Sequence, residues 1–129
     1  FLKCETRIWM TENIFKKKTD AELKMITDKI VQQLLDYNNL SVAEIILYGS
    51  YARGDANEES DIDIMILCND DKDRVQEYEK DIWHQVDHVG FDNDIMIQTV
   101  VQAKDFFDYW VDVLPFYKNV RNDGVILYG

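Results

Sequence analysis

Five carboxylates crowd into residues 55–63: Asp55, Glu58, Glu59, Asp61 and Asp63. A solvated acidic loop accounts for Asp55, Glu58 and Glu59 without further chemistry. Asp61 and Asp63 differ because they open an otherwise apolar stretch, Ile62-Asp63-Ile64-Met65-Ile66-Leu67. Side chains on a strand alternate between faces, so these two carboxylates share one face, roughly 7 Å apart along the backbone. Two like charges held on a rigid strand repel unless a cation sits between them. Carboxylate oxygens of this kind suit Mg²⁺, which takes one or two of them together with substrate phosphates and water. Asp94 opens another apolar run, and if its strand neighbours the first it becomes a third candidate ligand. Three carboxylates on adjacent strand ends can hold two metal ions about 3.5–4 Å apart, an arrangement suited to in-line phosphoryl or nucleotidyl transfer. A calcium loop read from Asp55 fails, because Ser60 stands where glycine is needed and Ile66 where glutamate is needed.

A second group of residues points to an anion. Gly49-Ser50 directly follows the short apolar run Glu44–Tyr48. Glycine there lets backbone approach a phosphate closely. A helical turn starting at Ser50 would aim its N–H groups and dipole at an anion. The Ser50 hydroxyl adds a donor, and Arg53 can reach a phosphate oxygen. Gly-Ser after a strand is usually a plain turn, and Asp-x-Asp alone is a common accident. Gly-Ser-x10-Asp-x-Asp with both halves at strand ends is much rarer, and MgATP requires both halves.

Gly49-Ser50-Tyr51-Ala52-Arg53-Gly54 followed by Ser60-Asp61-Ile62-Asp63 resembles the signature of the DNA polymerase β-like nucleotidyltransferase superfamily, and most closely the minimal nucleotidyltransferases. The resemblance spans about Thr19 to Tyr128. It implies that Asp61 and Asp63 bind both of two Mg²⁺ ions. It implies also that Asp94 completes the site and helps activate an attacking hydroxyl, and that Gly49 and Ser50 hold the ATP triphosphate; Arg53 and Ser60 are further candidate nucleotide-binding residues. Minimal nucleotidyltransferases resemble the antitoxin partners of HEPN-domain RNases, some of which modify a tyrosine of the partner. The implied activity is transfer of AMP to such a partner hydroxyl. Two other readings stay open: an aminoglycoside-type nucleotidyltransferase, and a nucleotide-binding or inhibitory module without catalysis.

The elements around these residues follow from periodicity. Thr19 and Asp20 can cap a helix with apolar residues Leu23, Ile26, Ile30, Val31, Leu34 and Leu35 on one face, ending near Asn38-Asn39. Strands are expected at 44–48, 61–67 and 94–100, with a helical turn at 51–53 and a helix carrying Val75, Tyr78, Ile82 and Val86 that Gly90 ends. A further helix from about Ala103 carries Phe106, Phe107, Trp110 and Leu114, with Pro115 ending it or opening another turn. Val125–Tyr128 suits a short last strand. The expected fold is α/β (α+β): a small mixed sheet with flanking helices, nucleotidyltransferase-like. Residues 1–18 read as an N-terminal extension or lead-in, including the basic run Lys16-Lys17-Lys18, and 19–129 as the domain.

At 129 residues, one domain is expected. The net charge of −11 disfavours stable nucleic-acid binding, which rests on cationic contacts. No apolar run approaches the length of a membrane span. Cys4 and Cys68 make no disulfide framework, so a reducing cytoplasm is expected, with Cys68 buried and inert. His84 and His88 have a zinc-compatible spacing but no adjoining glutamate, and a metal role is not expected of them. Trp9, Trp83, Trp110 and Phe106-Phe107 are assigned to core or interface packing.

Overall fold

The computed structural model describes residues 16–37 and 41–129. The expectations for residues 1–9, Met10, Trp9, Cys4 and the Asn38-Asn39 helix end lie outside the described residues. The described elements are α1 (Asp20–Leu35), β1 (Val42–Tyr48), α2 (Gly49–Arg53), β2 (Ile62–Cys68), α3 (Lys72–Asp92), β3 (Ile97–Ala103), α4 (Lys104–Trp110), α5 (Pro115–Asp123) and β4 (Val125–Tyr128). The strands form a mixed sheet in the order β3-β2-β1-β4. β1 runs antiparallel to both β2 and β4, and β2 runs parallel to β3, with α3 as the crossover.

α1 begins where Thr19 and Glu22 cap each other. The Glu22 N–H donates to Thr19 Oγ1 at 3.1 Å, and the Thr19 N–H donates to Glu22 Oε1 at 3.0 Å. Both faces of the sheet are covered. Ile62, Ile64 and Ile66 of β2 pack with Ile26, Ile30 and Leu34 of α1 and with Val75, Ile82 and Val86 of α3. The alternate residues Met65 and Leu67 pack on the other face with Ile46, Phe107, Tyr117 and Val120. Each such fully buried side chain contributes about 1.5–3 kcal/mol of burial free energy. Asp61 and Asp63 precede Met65 and Leu67 in the alternation, on the face covered by α4 and α5.

Several boundaries differ from the sequence expectation: β1 starts earlier, at Val42, the turn expected at 51–53 is the helix Gly49–Arg53, and β2 is shifted to Ile62–Cys68. Gly90 does not end α3, which runs on to Asp92. A Cβ at Gly90 would lie 2.6 Å from the Ile95 carbonyl oxygen, so this glycine serves the close passage of the segment leading into β3. β3 begins at Ile97, not Asp94. Asp94 turns the chain with φ +54°, and Ile95 donates its N–H back to Gly90 at 3.0 Å. α4 ends before Leu114, and Pro115 opens a separate helix, α5, from its first turn. Trp83 is on the surface, 40% exposed, and not in the core. Among the described residues no helix is long and apolar enough to cross a membrane.

An ion cluster ties the α4–α5 layer to β1. Arg121 grips Glu44 with two guanidinium nitrogens at 3.0 and 3.2 Å, and Lys104 approaches the same carboxylate at 3.0 Å. The Glu44 side chain is only 12% exposed. The Arg121 fork holds its carboxyl below the ordinary carboxylate range; burial opposes this and Lys104 adds to the lowering. A carboxyl lowered in the folded state adds stability above its unfolded pKa and loses it as pH falls through the folded value. Glu44→Gln should therefore cost about 2 kcal/mol at neutral pH. Chemical denaturation of both proteins should show that deficit shrinking as the pH falls below the ordinary value of 4.5.

Candidate active site

The turn from β1 into α2 is built against the start of β2. Tyr48, the last residue of β1, pairs with Asp63. Gly49 then takes φ +75°, and a Cβ on it would land on Asp63 Oδ2. The sequence reading gives Gly49 to a phosphate; the structure adds a nearer reason for glycine, the carboxylate beside it. No side chain caps the start of α2, which leaves its first N–H groups unclaimed by a cap. Gly54 closes this short helix with φ +83° and donates its N–H to the Ser50 carbonyl.

Asp63 is partly buried. Burial raises its pKa, the charge of Asp61 raises it further, and Arg53 opposes both. The Tyr48 phenol is pushed up to about 12, by burial first and then by the Asp63 charge. Asp61 accepts a hydrogen bond from Gln98 Nε2 at 3.2 Å. Arg53 pairs with Asp55 at 3.3 Å on the surface. The Ser60 hydroxyl belongs to its own loop, accepting from the Asn57 N–H at 2.9 Å and donating to Asn57 Oδ1 at 3.3 Å.

Asp61 and Asp94 both line an open pocket of about 360 Å³, together with Ser60, Glu58, Glu59, Tyr51, Met96 and Lys16. The predicted residues are thus divided. Gly49, Asp63 and Asp61 come together where β1 ends beside the start of β2, whereas Asp94 lines the pocket from the turn before β3. Among the described residues, no three His, Cys, Asp or Glu side chains converge as a metal-binding group. His84 and His88 are exposed, and His88 approaches Asp92 at 3.7 Å. Cys68 is buried, its thiol pushed up to about 12 by burial and then by Asp70, so it is not a ready nucleophile.

Sequence reasoning missed Gln98 and Lys16. Gln98 is a polar interruption of an apolar strand, a signal visible in the sequence but without meaning until the register is known. Lys16 belongs to the segment read as a lead-in, yet it lines the pocket, and the Lys18 N–H donates to Tyr51 Oη at 3.1 Å.

Two outcomes follow. Gly49→Ala should lower stability by more than about 1 kcal/mol, from positive φ and from collision with Asp63. A double-mutant cycle with Asp63→Ala should return part of that loss as coupling. Asp63→Asn should raise the melting temperature at neutral pH. A carboxyl raised in the folded state keeps its proton longer there, so wild-type stability falls as pH rises through the carboxylate range. The gain from Asp63→Asn should vanish in melts below that range.

The sequence model of the nucleotidyltransferase domain matches residues 27–126. A Methanocaldococcus jannaschii protein named "putative protein adenylyltransferase" is 34% identical over 87 residues, which are 67% of this chain and 79% of that one. A second protein of that organism with the same description is 39% identical over 64 residues, 50% of this chain and 72% of its own. Among solved structures, a toxin–antitoxin crystallised with AMP-PNP superposes with TM-score 0.52 at 24% identity, covering 80% of this chain and 73% of that one. A mutant of the MntA-HpeT toxin–antitoxin superposes with TM-score 0.51 at 22% identity, with the same coverage. These two likenesses show the fold. The family model spans most of the chain, and by that match the chain belongs to the nucleotidyltransferase-domain family.

Proposed function

We propose that this chain transfers AMP from ATP to a hydroxyl of a partner protein, with a tyrosine of a HEPN-type toxin as the acceptor and Mg²⁺ as the metal. The observation that carries the reading is the seating of the Gly49-Ser50 turn directly on Asp63, beside Asp61. It brings an anion-binding turn and an acidic pair to one end of the two central strands, as a metal–triphosphate substrate requires. The donor set fits the metal: two carboxylates, one partly buried and raised by its neighbour, are an oxygen site short of positive charge. Asp61 and Asp63 would hold Mg²⁺, which when bound neutralises triphosphate charge.

The remaining work falls to the chain's own groups. N–H groups at the start of α2 and the Ser50 hydroxyl hold the phosphates, and Arg53 swings from Asp55 to a phosphate oxygen. Ser60 fixes the loop that leads into Asp61. The acceptor oxygen bonds to the α-phosphorus, the bond to the bridging oxygen of pyrophosphate breaks, and the hydroxyl proton passes to Asp94 across the pocket. Relatives named for protein adenylylation and a toxin–antitoxin fold likeness support a protein acceptor. The buried cysteine suits a reducing cytoplasm, and the charge of −11 disfavours a nucleic-acid primer. One observation favours a second reading. The pocket lining of Glu58, Glu59, Asp61 and Asp94 suits a polycationic small molecule such as an aminoglycoside.

Intact-mass spectrometry of candidate partners incubated with the chain, ATP and Mg²⁺ should show added AMP. Asp61→Asn, Asp63→Asn and Asp94→Asn should each cut the rate about a hundredfold or more. Adenylylation of an aminoglycoside with every partner unmodified would replace the acceptor. Nucleotide binding with no transfer to any acceptor would leave an inhibitory module.

A further inference from the structure

We propose that Gln98 is a positioning residue that anchors the Asp61 carboxylate and restricts the chain's own contribution to a single divalent-cation site, built from Asp61 and Asp63. The inference rests on the metal reading above and goes beyond it in ligand count and in assigning Gln98.

Two independent observations carry it. In the parallel β2–β3 pairing, Asp63 stands opposite Gln98. Parallel partners in register project to the same face, so Gln98 is the side chain that β3 presents to Asp61 and Asp63. The contact is made: Gln98 Nε2 donates to Asp61 Oδ2 at 3.2 Å, with Met96 Sδ 3.9 Å from the same nitrogen. An amide N–H satisfies a carboxylate but brings no negative charge and ligates no cation. The strand position from which β3 could supply a third carboxylate is therefore neutral. Asp94, four residues earlier, sits in a left-handed turn outside the strand and does not group with the pair.

Charge counting gives the same limit. Two carboxylates balance one divalent ion, and a second ion would have to draw its anionic ligands from the substrate. Hydrogen bonds to a ligating carboxylate fix its orientation, and losing such a partner costs metal affinity without removing a ligand. Gln98 is exposed and lies outside the two buried clusters, so its replacement leaves the core intact.

The test is a Mn²⁺ titration of the whole chain without nucleotide, followed by electron paramagnetic resonance, alongside thermal melts in EDTA. Wild type should saturate with a single ion. Gln98→Leu should keep that capacity and its melting temperature while losing affinity about tenfold. Gln98→Glu sets a third carboxylate in register. It should melt below wild type in EDTA, through repulsion from Asp61, and should bind Mn²⁺ about tenfold more tightly or take up a second ion. Wild type saturating with two ions, one of them lost in Asp94→Asn, would overturn the inference and leave AMP transfer standing. Gln98→Leu binding Mn²⁺ as wild type does would overturn it too. Mn²⁺ uptake unchanged in Asp61→Asn/Asp63→Asn, or none by wild type, would remove the metal reading itself.

Discussion

The absence of a side chain at one position governs the site. Gly49 leaves β1 with its α-carbon against the Asp63 carboxylate, in a backbone conformation that other residues adopt only under strain. The contact fixes where β1 ends relative to where β2 begins. It also buries part of Asp63, and burial is the main reason that its proton is held more tightly than usual. The short helix, the acidic pair and the Tyr48 phenol are therefore one mechanical and electrostatic unit. The two halves of the sequence motif touch, and neither could shift without the other.

The two covered faces of the sheet hold this unit in place. Ile62, Ile64 and Ile66 anchor one side of β2 while Met65 and Leu67 anchor the other. A one-residue slip would exchange the two sets and turn Asp63 into the α1–α3 core. The Glu44 cluster with Lys104 and Arg121 adds a charged tie between β1 and the α4–α5 layer. It places a carboxylate on the strand that leads into the site yet occupies it fully, so it does not compete for a cation.

Much of this was legible in the residues. Alternation in 62–67 shows the two faces of β2, Thr19 marks the start of α1 as a cap residue, and Val125–Tyr128 forms the expected short strand. The Gly-Ser and Asp-x-Asp pair stands together in the fold, with Gly49 against Asp63. What could not be read was pairing across the sheet. The apolar run after Asp94 looks like a strand from its first residue, because the apolar residues Ile95 and Met96 continue through the turn. Only the positive φ at Asp94 and the β2–β3 register show that the strand starts at Ile97 and that Gln98 faces the aspartates. Gly90 misled for a similar reason. Glycine often closes a helix, but here it admits the backbone of Ile95 as the chain turns back past it, a demand that composition alone does not show.

The sheet order also sets a timetable for synthesis. β1 is an inner strand, yet its outer neighbour β4 comes last in chain order among the described elements, and Arg121 lies 77 residues beyond its partner Glu44. At about 5–20 residues per second, a ribosome needs roughly 4–15 s to cover that interval. Through those seconds the half of the sheet holding the acidic pair can assemble while β1 keeps a bare, hydrogen-bonding edge flanked by Ile45, Ile46 and Leu47. A bare apolar edge is a template for unwanted strand pairing. The nascent chain is thus most prone to aggregation after β2 and β3 have paired and before β4 emerges.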